Sequence, residues 1–238
     1  MEILYITLLT IVATCVGTLT GFGTSTIMVP VLLLFFPIAP TLLFVGIIHW
    51  FGNIWKIAFF KEGVRWSLIF SFGISGVILS FLGARLVFSV SNALLSQVLG
   101  GFLILYVVFL FFNPSFKFKQ NTLTAATGGA FSGFFAGIFG VGGAIRGAFL
   151  SVFDLPKAVY IATSGAIGLV IDTTRIITYV NEGATIPSHL TFGLLIFIPA
   201  SFLGAQLAKK IVHRIPQNQF RMVIALFLLL IGFKMVLF

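Results

Sequence analysis

Charged residues are scarce in this sequence. Only 8% of its 238 residues are Asp, Glu, Lys or Arg, whereas soluble domains carry about 25%. No charged residue occurs at positions 3–55 or at positions 120–145. Both runs are longer than the ~20 apolar residues that cross a bilayer. A water-soluble fold is therefore excluded, and the sequence predicts an integral membrane protein that has the lipid bilayer as a partner.

Cysteine is also nearly absent, since Cys15 is the only one. An internal disulfide and every multi-cysteine metal or iron–sulfur site are therefore excluded. No spacing of His, Glu and Cys predicts a metal site, and no Walker or Rossmann pattern is present, so we expect no metal and no cofactor. The net charge of +9 comes from basic residues between apolar segments, which is typical of membrane topology signals rather than of nucleic-acid binding.

The apolar segments predict an all-α polytopic membrane protein. Eight long transmembrane helices are expected at residues 3–20, 41–60, 66–88, 93–112, 123–139, 158–180, 189–210 and 220–238. Two shorter segments, 24–36 and 144–153, each follow a glycine-rich break. Because they are short for a hydrocarbon core of about 30 Å, they are interpreted as half-helices or re-entrant segments.

An internal repeat divides the chain. The segment Ser-Phe-Leu-Gly-Ala at 80–84 recurs at 201–205, a shift of 121 residues. Gly21-x-Gly23 is matched by Gly140-x-Gly142, and Asn53-x-x-Lys56 by Asp172-x-x-Arg175, each at a shift of 119. The sequence therefore predicts two homologous halves, a first repeat bundle at 1–113 and a second at 123–238, joined by a cytoplasmic linker at 114–122.

The charges predict that the two halves are inverted. The connection with Lys61 and Arg65 corresponds in the second half to one with Glu182 and no basic residue. If the short segments count as crossings, each half has five, and one face collects Lys61, Arg65, Lys117, Lys119, Lys157, Lys209, Lys210, Arg214 and Arg221. The positive-inside rule makes this face cytoplasmic. Glu2 and Glu182 lie on the other face, whereas a count of eight crossings would divide the basic residues between both.

The two glycine-rich breaks are candidate binding sites for an anion. The first contains Gly21, Gly23, Thr24 and Ser25, and the second contains Gly140, Gly142 and Gly143. Each break opens a short helix, whose free N–H groups and partial positive charge attract anions. The alternative is that these glycines only permit close helix packing.

Arg146 follows the second break inside an apolar segment. An ionisable side chain is costly there and usually faces a cavity or a partner, so Arg146 is a candidate contact for a substrate anion. The alternatives are a pair with Asp154 and snorkelling to the membrane surface.

The remaining candidates are a gating or coupling set. Asn53 with Lys56, and Asp172 with Arg175, are spaced i,i+3 and share a helix face. The inverted arrangement places the two pairs toward opposite mouths, where they gate or attract anions. The alternative is that Lys56 and Arg175 snorkel to the interface. His49 is a candidate to titrate with a transported proton, or else a packed neutral histidine, and a coupling sodium ion is equally open.

The breaks and repeats also carry a family resemblance. The residues that carry it are Gly21-x-Gly23 followed by Pro30, Gly137-x-x-Gly140-x-Gly142-Gly143, Pro156 and both Ser-Phe-Leu-Gly-Ala copies. In these residues the chain resembles the TauE/SafE sulfite-exporter family of the toluenesulfonate uptake permease superfamily. The resemblance implies a bacterial inner-membrane transporter of sulfite, sulfonates or other small sulfur-containing anions. The chain departs from the family pattern at Thr24, Ser25, Arg146 and Phe149.

These observations together predict a secondary transporter of a small anion rather than an enzyme. Inverted repeats with broken helices are the architecture of many transporters that work by alternating access. A passive anion channel is the main alternative. An intramembrane enzyme would need a complete catalytic set, and Ser164 with His49 lacks a third partner. A scaffold subunit would show no flux.

Overall fold

The computed structural model describes residues 1–21, 23–112, 119–212 and 228–237. These residues form helices and connections, with no β-strand among them. The described helices are α1 (Glu2–Thr20), α2 (Ser25–Leu32), α3 (Ile38–Phe59), α4 (Trp66–Leu86), α5 (Asn92–Phe112), α6 (Thr122–Phe139), α7 (Gly142–Leu150), α8 (Lys157–Asn181), α9 (Ser188–Ile211) and α10 (Leu228–Leu237).

Seven of these helices, α1, α3, α4, α5, α6, α8 and α9, are long and apolar enough to cross a membrane. Helices suit a bilayer because they satisfy their own backbone hydrogen bonds. The predicted all-α polytopic fold is thereby confirmed. The helix predicted at 220–238 is represented by α10, and its other residues lie outside the described part of the chain, as do Lys117, Arg214 and Arg221.

The distribution of side chains is that of a membrane protein. Large apolar side chains face outward, with Trp66 65% exposed and Leu195 76% exposed, while charged Asp172 and Arg175 are buried in the interior. In a bilayer the outward apolar surface meets lipid, so burying polar groups in the interior is the arrangement that avoids unsatisfied groups in hydrocarbon.

The two short helices occur where the sequence predicts them. α2 follows a break at Gly21, and α7 follows one at Gly140, with φ angles of 76° and 71°. A left-handed backbone is costly for residues with a Cβ atom, which explains glycine at both positions. α2 ends at Leu32, and a 3₁₀ turn at Ser151–Phe153 extends α7.

The most extensive helix contacts join the two predicted halves. They are α4 with α6, α1 with α9, and α3 with α8. Under the repeat shift, α4–α6 corresponds to α9–α1, and α3–α8 corresponds to itself. The repeat shift therefore maps these helix contacts onto one another, and the segments 1–113 and 123–238 contact each other through all three helix pairs.

Close contacts show the relative directions of the helices. α3 and α8 are antiparallel, since Gly46 lies beside Arg175 and Gly165 beside Lys56. α4 and α6 are parallel, since Gly133 packs on Gly76, and further along both helices the Gly137 backbone meets Ser80.

These directions determine how α7 connects its neighbours. α4 is joined to α3 by the short connection 60–65 and so runs opposite to it. α6 and α8 therefore both run with α4. Two successive helices can share a direction only if the segment between them returns the chain across the bundle, so the segment with α7 crosses between the two ends.

Several of the charged residues outside the interior lie at the two ends of the bundle. At one end, which we call the basic end, Arg65 N–H donates to Thr163 Oγ1 over 3.0 Å, Lys157 Nζ donates to the Val212 carbonyl, and Lys209 lies 5.6 Å from the Phe59 ring centroid. At the acidic end, Arg85 pairs with Glu182 at 3.0 Å, and His189 with Glu2 at 3.1 Å. Arg65, Lys157 and Lys209 therefore lie at the same end of the bundle.

Candidate functional site

A group of buried polar side chains lies where α3, α7 and α8 meet. We call it the central cluster; each member is 2% exposed or less, and its members are His49, Asn53, Lys56, Arg146, Ser164, Asp172 and Arg175. Burying charged groups is costly unless they are paired. Inside a membrane such groups mark functional sites by default, so the cluster is the first candidate.

Asp172 is the centre of the cluster. Its Oδ1 accepts a hydrogen bond from Arg175 Nε at 2.7 Å. Its Oδ2 accepts one from Asn53 Nδ2 at 2.8 Å and lies 2.8 Å from His49 Nδ1. Both carboxylate oxygens are therefore engaged by three side chains from α3 and α8.

The two predicted i,i+3 pairs form one chain across the repeat interface. Lys56 Nζ donates to Asn53 Oδ1 at 3.0 Å, in the same way that Arg175 donates to Asp172. Asn53 and Asp172 are repeat mates, and they join the pairs directly. The prediction that the pairs sit toward opposite mouths is wrong, because the antiparallel crossing of α3 and α8 brings them together.

Interfacial snorkelling is excluded for these two cations. Lys56 is 2% exposed and Arg175 is 0% exposed, so neither reaches the membrane surface. The pairs are part of the interior.

Arg146 joins the cluster from α7. Its Nε donates to Ser164 Oγ at 3.1 Å, and a Cβ added at Gly168 would lie 3.0 Å from its Nη2 and 2.6 Å from Asn53 Nδ2. Asp154 is exposed near the start of α8, whereas Arg146 is 1% exposed. Neither the alternative of an ion pair with Asp154 nor that of snorkelling therefore applies.

The cluster has more donors than acceptors. Within the described part of the chain, Arg146 Nη2, Arg175 Nη1 and Arg175 Nη2 have no hydrogen-bond partner. Tyr179 neighbours the Arg175 guanidinium and donates its own hydroxyl proton to the Gly137 carbonyl. Each unmade hydrogen bond of a buried group costs about 1–3 kcal/mol, so an acceptor is expected to bind here.

The formal charges of the cluster also favour an anion as ligand, because positive charges outnumber negative ones. Lys56, Arg146 and Arg175 are cationic, and Asp172 is the only carboxylate in the cluster. With His49 neutral, three positive charges less one negative charge leave two. Excess buried charge is unfavourable without a counter-ion, and the counter-ion that fits is an anion.

The two glycine-rich breaks contact opposite parts of the cluster. A Cβ at Gly23 would lie 2.6 Å from His49 Nε2, and one at Gly140 would lie 3.3 Å from Arg175 Nη1. Gly21 packs against the Tyr160 ring. The first break therefore meets the His49 imidazole, and the second meets an unpaired guanidinium nitrogen of Arg175.

Among the other residues predicted for the breaks, Thr24 and Gly142 contact neighbouring helices. Thr24 Oγ1 donates to Thr14 Oγ1 at 3.3 Å, which ties the first break to α1. A Cβ at Gly142 would lie 2.6 Å from Ala136 Cβ, so this glycine permits close contact with α6. Ser25 and Gly143 are buried, and neither has a described contact with the cluster.

The sequence does not reveal Ser164 as a partner of Arg146. Ser164, considered only as an enzyme nucleophile, accepts from Arg146. Ser164, Gly168, Asp172 and Arg175 follow helical spacing along one face of α8, and this periodicity is the signal that could have found it. No group of three or more His, Cys, Asp or Glu side chains that could hold a metal occurs among the described residues.

Comparison with known proteins identifies the family. The family model described as sulfite exporter TauE/SafE matches residues 6–235, which is nearly the whole chain. Comparison with curated proteins gives no significant match. The matched family consists of membrane transporters and not of enzymes. The seven long apolar helices agree with a multi-pass membrane transporter. The chain therefore belongs to the sulfite exporter TauE/SafE family.

Proposed function

We propose that this protein is a secondary transporter that binds a small sulfur-containing oxyanion, such as sulfite or a sulfonate, at the central cluster and moves it across the cell inner membrane. The observation that carries the proposal is the buried excess of cations with unpaired guanidinium nitrogens on Arg146 and Arg175. Oxyanions are the ligands that such donors bind most strongly, through charge-assisted hydrogen bonds.

The two breaks give an anion access to the cluster. Gly23 lies beside His49 and Gly140 beside Arg175, and α2 and α7 start just after these breaks. Their first N–H groups have no partner within the helix, so they add donors for an anion. Arg146, Arg175 and Lys56 bind the anion in this proposal, while Asn53 and Asp172 hold these donors in place.

We further propose that the halves are inverted repeats that exchange conformations to give alternating access. The antiparallel contact between the repeat mates α3 and α8 supports this, because mates that both span a membrane in opposite directions belong to inverted halves. The chain Lys56–Asn53–Asp172–Arg175 crosses between the halves at this contact. A rocking motion that changes these pairings would open the site to each side in turn.

His49 is the proposed coupling residue. Its Nδ1 faces Asp172 and its Nε2 faces the first break, so one imidazole connects the carboxylate with the substrate path. A proton gained or lost here changes the charge balance of the cluster. This contact favours a coupled transporter over a passive channel.

The test is sulfite flux into proteoliposomes with an imposed pH gradient. Arg146→Met removes the guanidinium but leaves an unbranched side chain that still fills part of the space. The variant should lower flux by about tenfold to a hundredfold, since a hydrogen bond to a charged group contributes about 1.5–3 kcal/mol. Lys61→Met, at the exposed basic end, is the control and should keep wild-type flux.

Two results would count against the proposal. Wild-type flux in Arg146→Met would remove Arg146 from the substrate site. Flux that only follows the sulfite gradient, without accumulation when a pH gradient is applied, would favour the channel.

The inverted topology has a separate test. Single cysteines introduced at Lys119 and Lys209, in a Cys15→Ser background, should both react with a membrane-impermeant thiol reagent from the cytoplasmic side only. A cysteine at Glu182 should react only from the opposite side, because Glu182 lies at the acidic end. Labelling of positions 119 and 209 from different sides would contradict the proposed topology.

A further inference from the structure

We infer that the central cluster selects a compact divalent oxyanion over monovalent anions of the same size. This inference rests on the proposed function, since it assumes that the substrate binds at the cluster. Two observations support it: two cations of the cluster have no carboxylate partner among the described residues, and the α8 backbone packs closely on the charged side chains.

Two cations of the cluster have only neutral partners. Asp172 uses its two oxygens for Arg175, Asn53 and His49. Lys56 donates to the side-chain oxygen of Asn53, and Arg146 donates to the hydroxyl of Ser164.

Arg175 therefore has a carboxylate partner, while Lys56 and Arg146 have none among the described residues. A dianion would neutralise both, whereas a monoanion would leave one buried charge without a counter-charge.

The free donors of these two cations suit a ligand with several oxygens. Lys56 Nζ has three N–H groups, of which one is used by Asn53. Arg146 Nη2 has no partner within the described residues. Arg146 Nη2 and the Asn53 side-chain amide, which accepts from Lys56 Nζ, both lie beside Gly168 of α8. A tetrahedral or pyramidal oxyanion can accept from both cations at once through different oxygens.

The same glycines limit the size of the ligand. A Cβ at Gly168 would lie 2.6 Å from Asn53 Nδ2 and 3.0 Å from Arg146 Nη2, and a Cβ at Gly165 would lie 3.1 Å from Lys56 Cβ. The α8 backbone thus lies directly against the cationic side chains. An organic substituent on the anion would collide with it, so the geometry favours an inorganic ion.

The experiment separates charge from size with three probes. Sulfate is divalent, methanesulfonate is a monovalent ion of similar size, and p-toluenesulfonate is monovalent and bulky; none changes charge near neutral pH. Binding to the purified full-length protein is measured by the concentration that half-maximally raises the thermal unfolding midpoint. We expect sulfate to act at about tenfold lower concentration than methanesulfonate, which corresponds to about 1.4 kcal/mol, and p-toluenesulfonate to have no effect.

Lys56→Met should reduce the preference for sulfate over methanesulfonate to near parity, because only one cation without a carboxylate partner would remain. Arg146→Met is the independent second variant, should the first fold poorly, and should shift selectivity the same way. Lys61→Met is the matched control and should keep the wild-type preference.

Equal action of sulfate and methanesulfonate on the wild type would overturn the inference and leave anion binding at the cluster intact. The inference also fails if either variant keeps the wild-type ratio. The proposed function fails as well if sulfate, methanesulfonate and sulfite all leave the unfolding midpoint of the wild type unchanged and neither variant changes sulfite flux into proteoliposomes.

Discussion

The two halves of the molecule share their packing but not their chemistry. Ser80 and Ser201, the first residues of the two Ser-Phe-Leu-Gly-Ala copies, are both fully buried. At the centre, by contrast, Asn53 in the first half corresponds to Asp172 in the second. The position that matches Arg146 at a shift of 119 is Ile27. The duplicated scaffold thus positions the site, and the differences between the halves give it a positive charge.

The equivalent helix interfaces differ as well. α4 packs on α6 through glycine, with Gly133 against Gly76. In the equivalent contact of α1 with α9, threonine stands at the position of Gly133, and Thr14 packs beside Gly204. The two interfaces therefore differ in the size of the residue at this position. Four predictions test this comparison.

The largest effect is expected at the carboxylate. Asp172→Asn would leave Arg175, Lys56 and Arg146 without a counter-charge in the cluster and should destabilise the protein by about 3–5 kcal/mol, as is usual when one partner of a buried ion pair is removed. The measurement is thermal or denaturant unfolding of the purified protein in lipid nanodiscs.

The exchange variant tests whether the halves are equivalent. Asn53→Asp combined with Asp172→Asn moves the carboxylate to its repeat mate, where Lys56 becomes its partner. We expect the double variant to be more stable than Asp172→Asn. Asn53→Asp alone should be destabilised, because two carboxylates at hydrogen-bond distance repel unless they share a proton. A double variant no more stable than Asp172→Asn would show that the halves are not interchangeable at the cluster.

A smaller effect is expected at the α4–α6 interface. The added methyl group in Gly133→Ala would lie 2.6 Å from Gly76 Cα, and overpacking of this kind costs about 1–3 kcal/mol. Gly73→Ala, on the same helix as Gly76, is the matched control, because no atom lies within 4 Å of its added Cβ. The unfolding midpoint of Gly133→Ala should therefore be lower than that of Gly73→Ala. Equal midpoints would mean that α4 and α6 can move apart to accommodate the methyl group without loss of stability.

The smallest effect is expected at the acidic end. Arg85 pairs with Glu182, while its repeat mate is Gln206. Because the Arg85 side chain is 59% exposed, Arg85→Ala should change stability by only about 0–1 kcal/mol. The same unfolding assay measures it. A loss of stability as large as that of Asp172→Asn would contradict the expectation that the exposed ion pairs at the ends of the bundle contribute little to stability.

Much of the fold follows from local sequence features. Long apolar runs predict the spanning helices because a bilayer leaves the backbone no other partner. Glycine at positions 21 and 140 predicts the two breaks, where the backbone is left-handed. The i,i+3 spacing of Asn53 with Lys56, and of Asp172 with Arg175, also predicts that each pair interacts.

The site itself was only partly predictable. Arg146 stands out in the sequence because an arginine inside an apolar segment needs a partner. Its contact with Ser164 does not stand out, since it joins two helices. The depth of Lys56 and Arg175 was misjudged because position along a helix does not show which neighbour covers a side chain.

The sequence is sufficient to predict an all-helical membrane protein with an internal sequence repeat, two glycine-rich breaks and few charged residues. These properties depend on composition and on spacing within single segments. That the two charged pairs meet is visible only in the folded protein, because their contact depends on α3 crossing α8 in the opposite direction. That crossing joins Asn53 to Asp172 and turns dispersed cations into one buried, positively charged site.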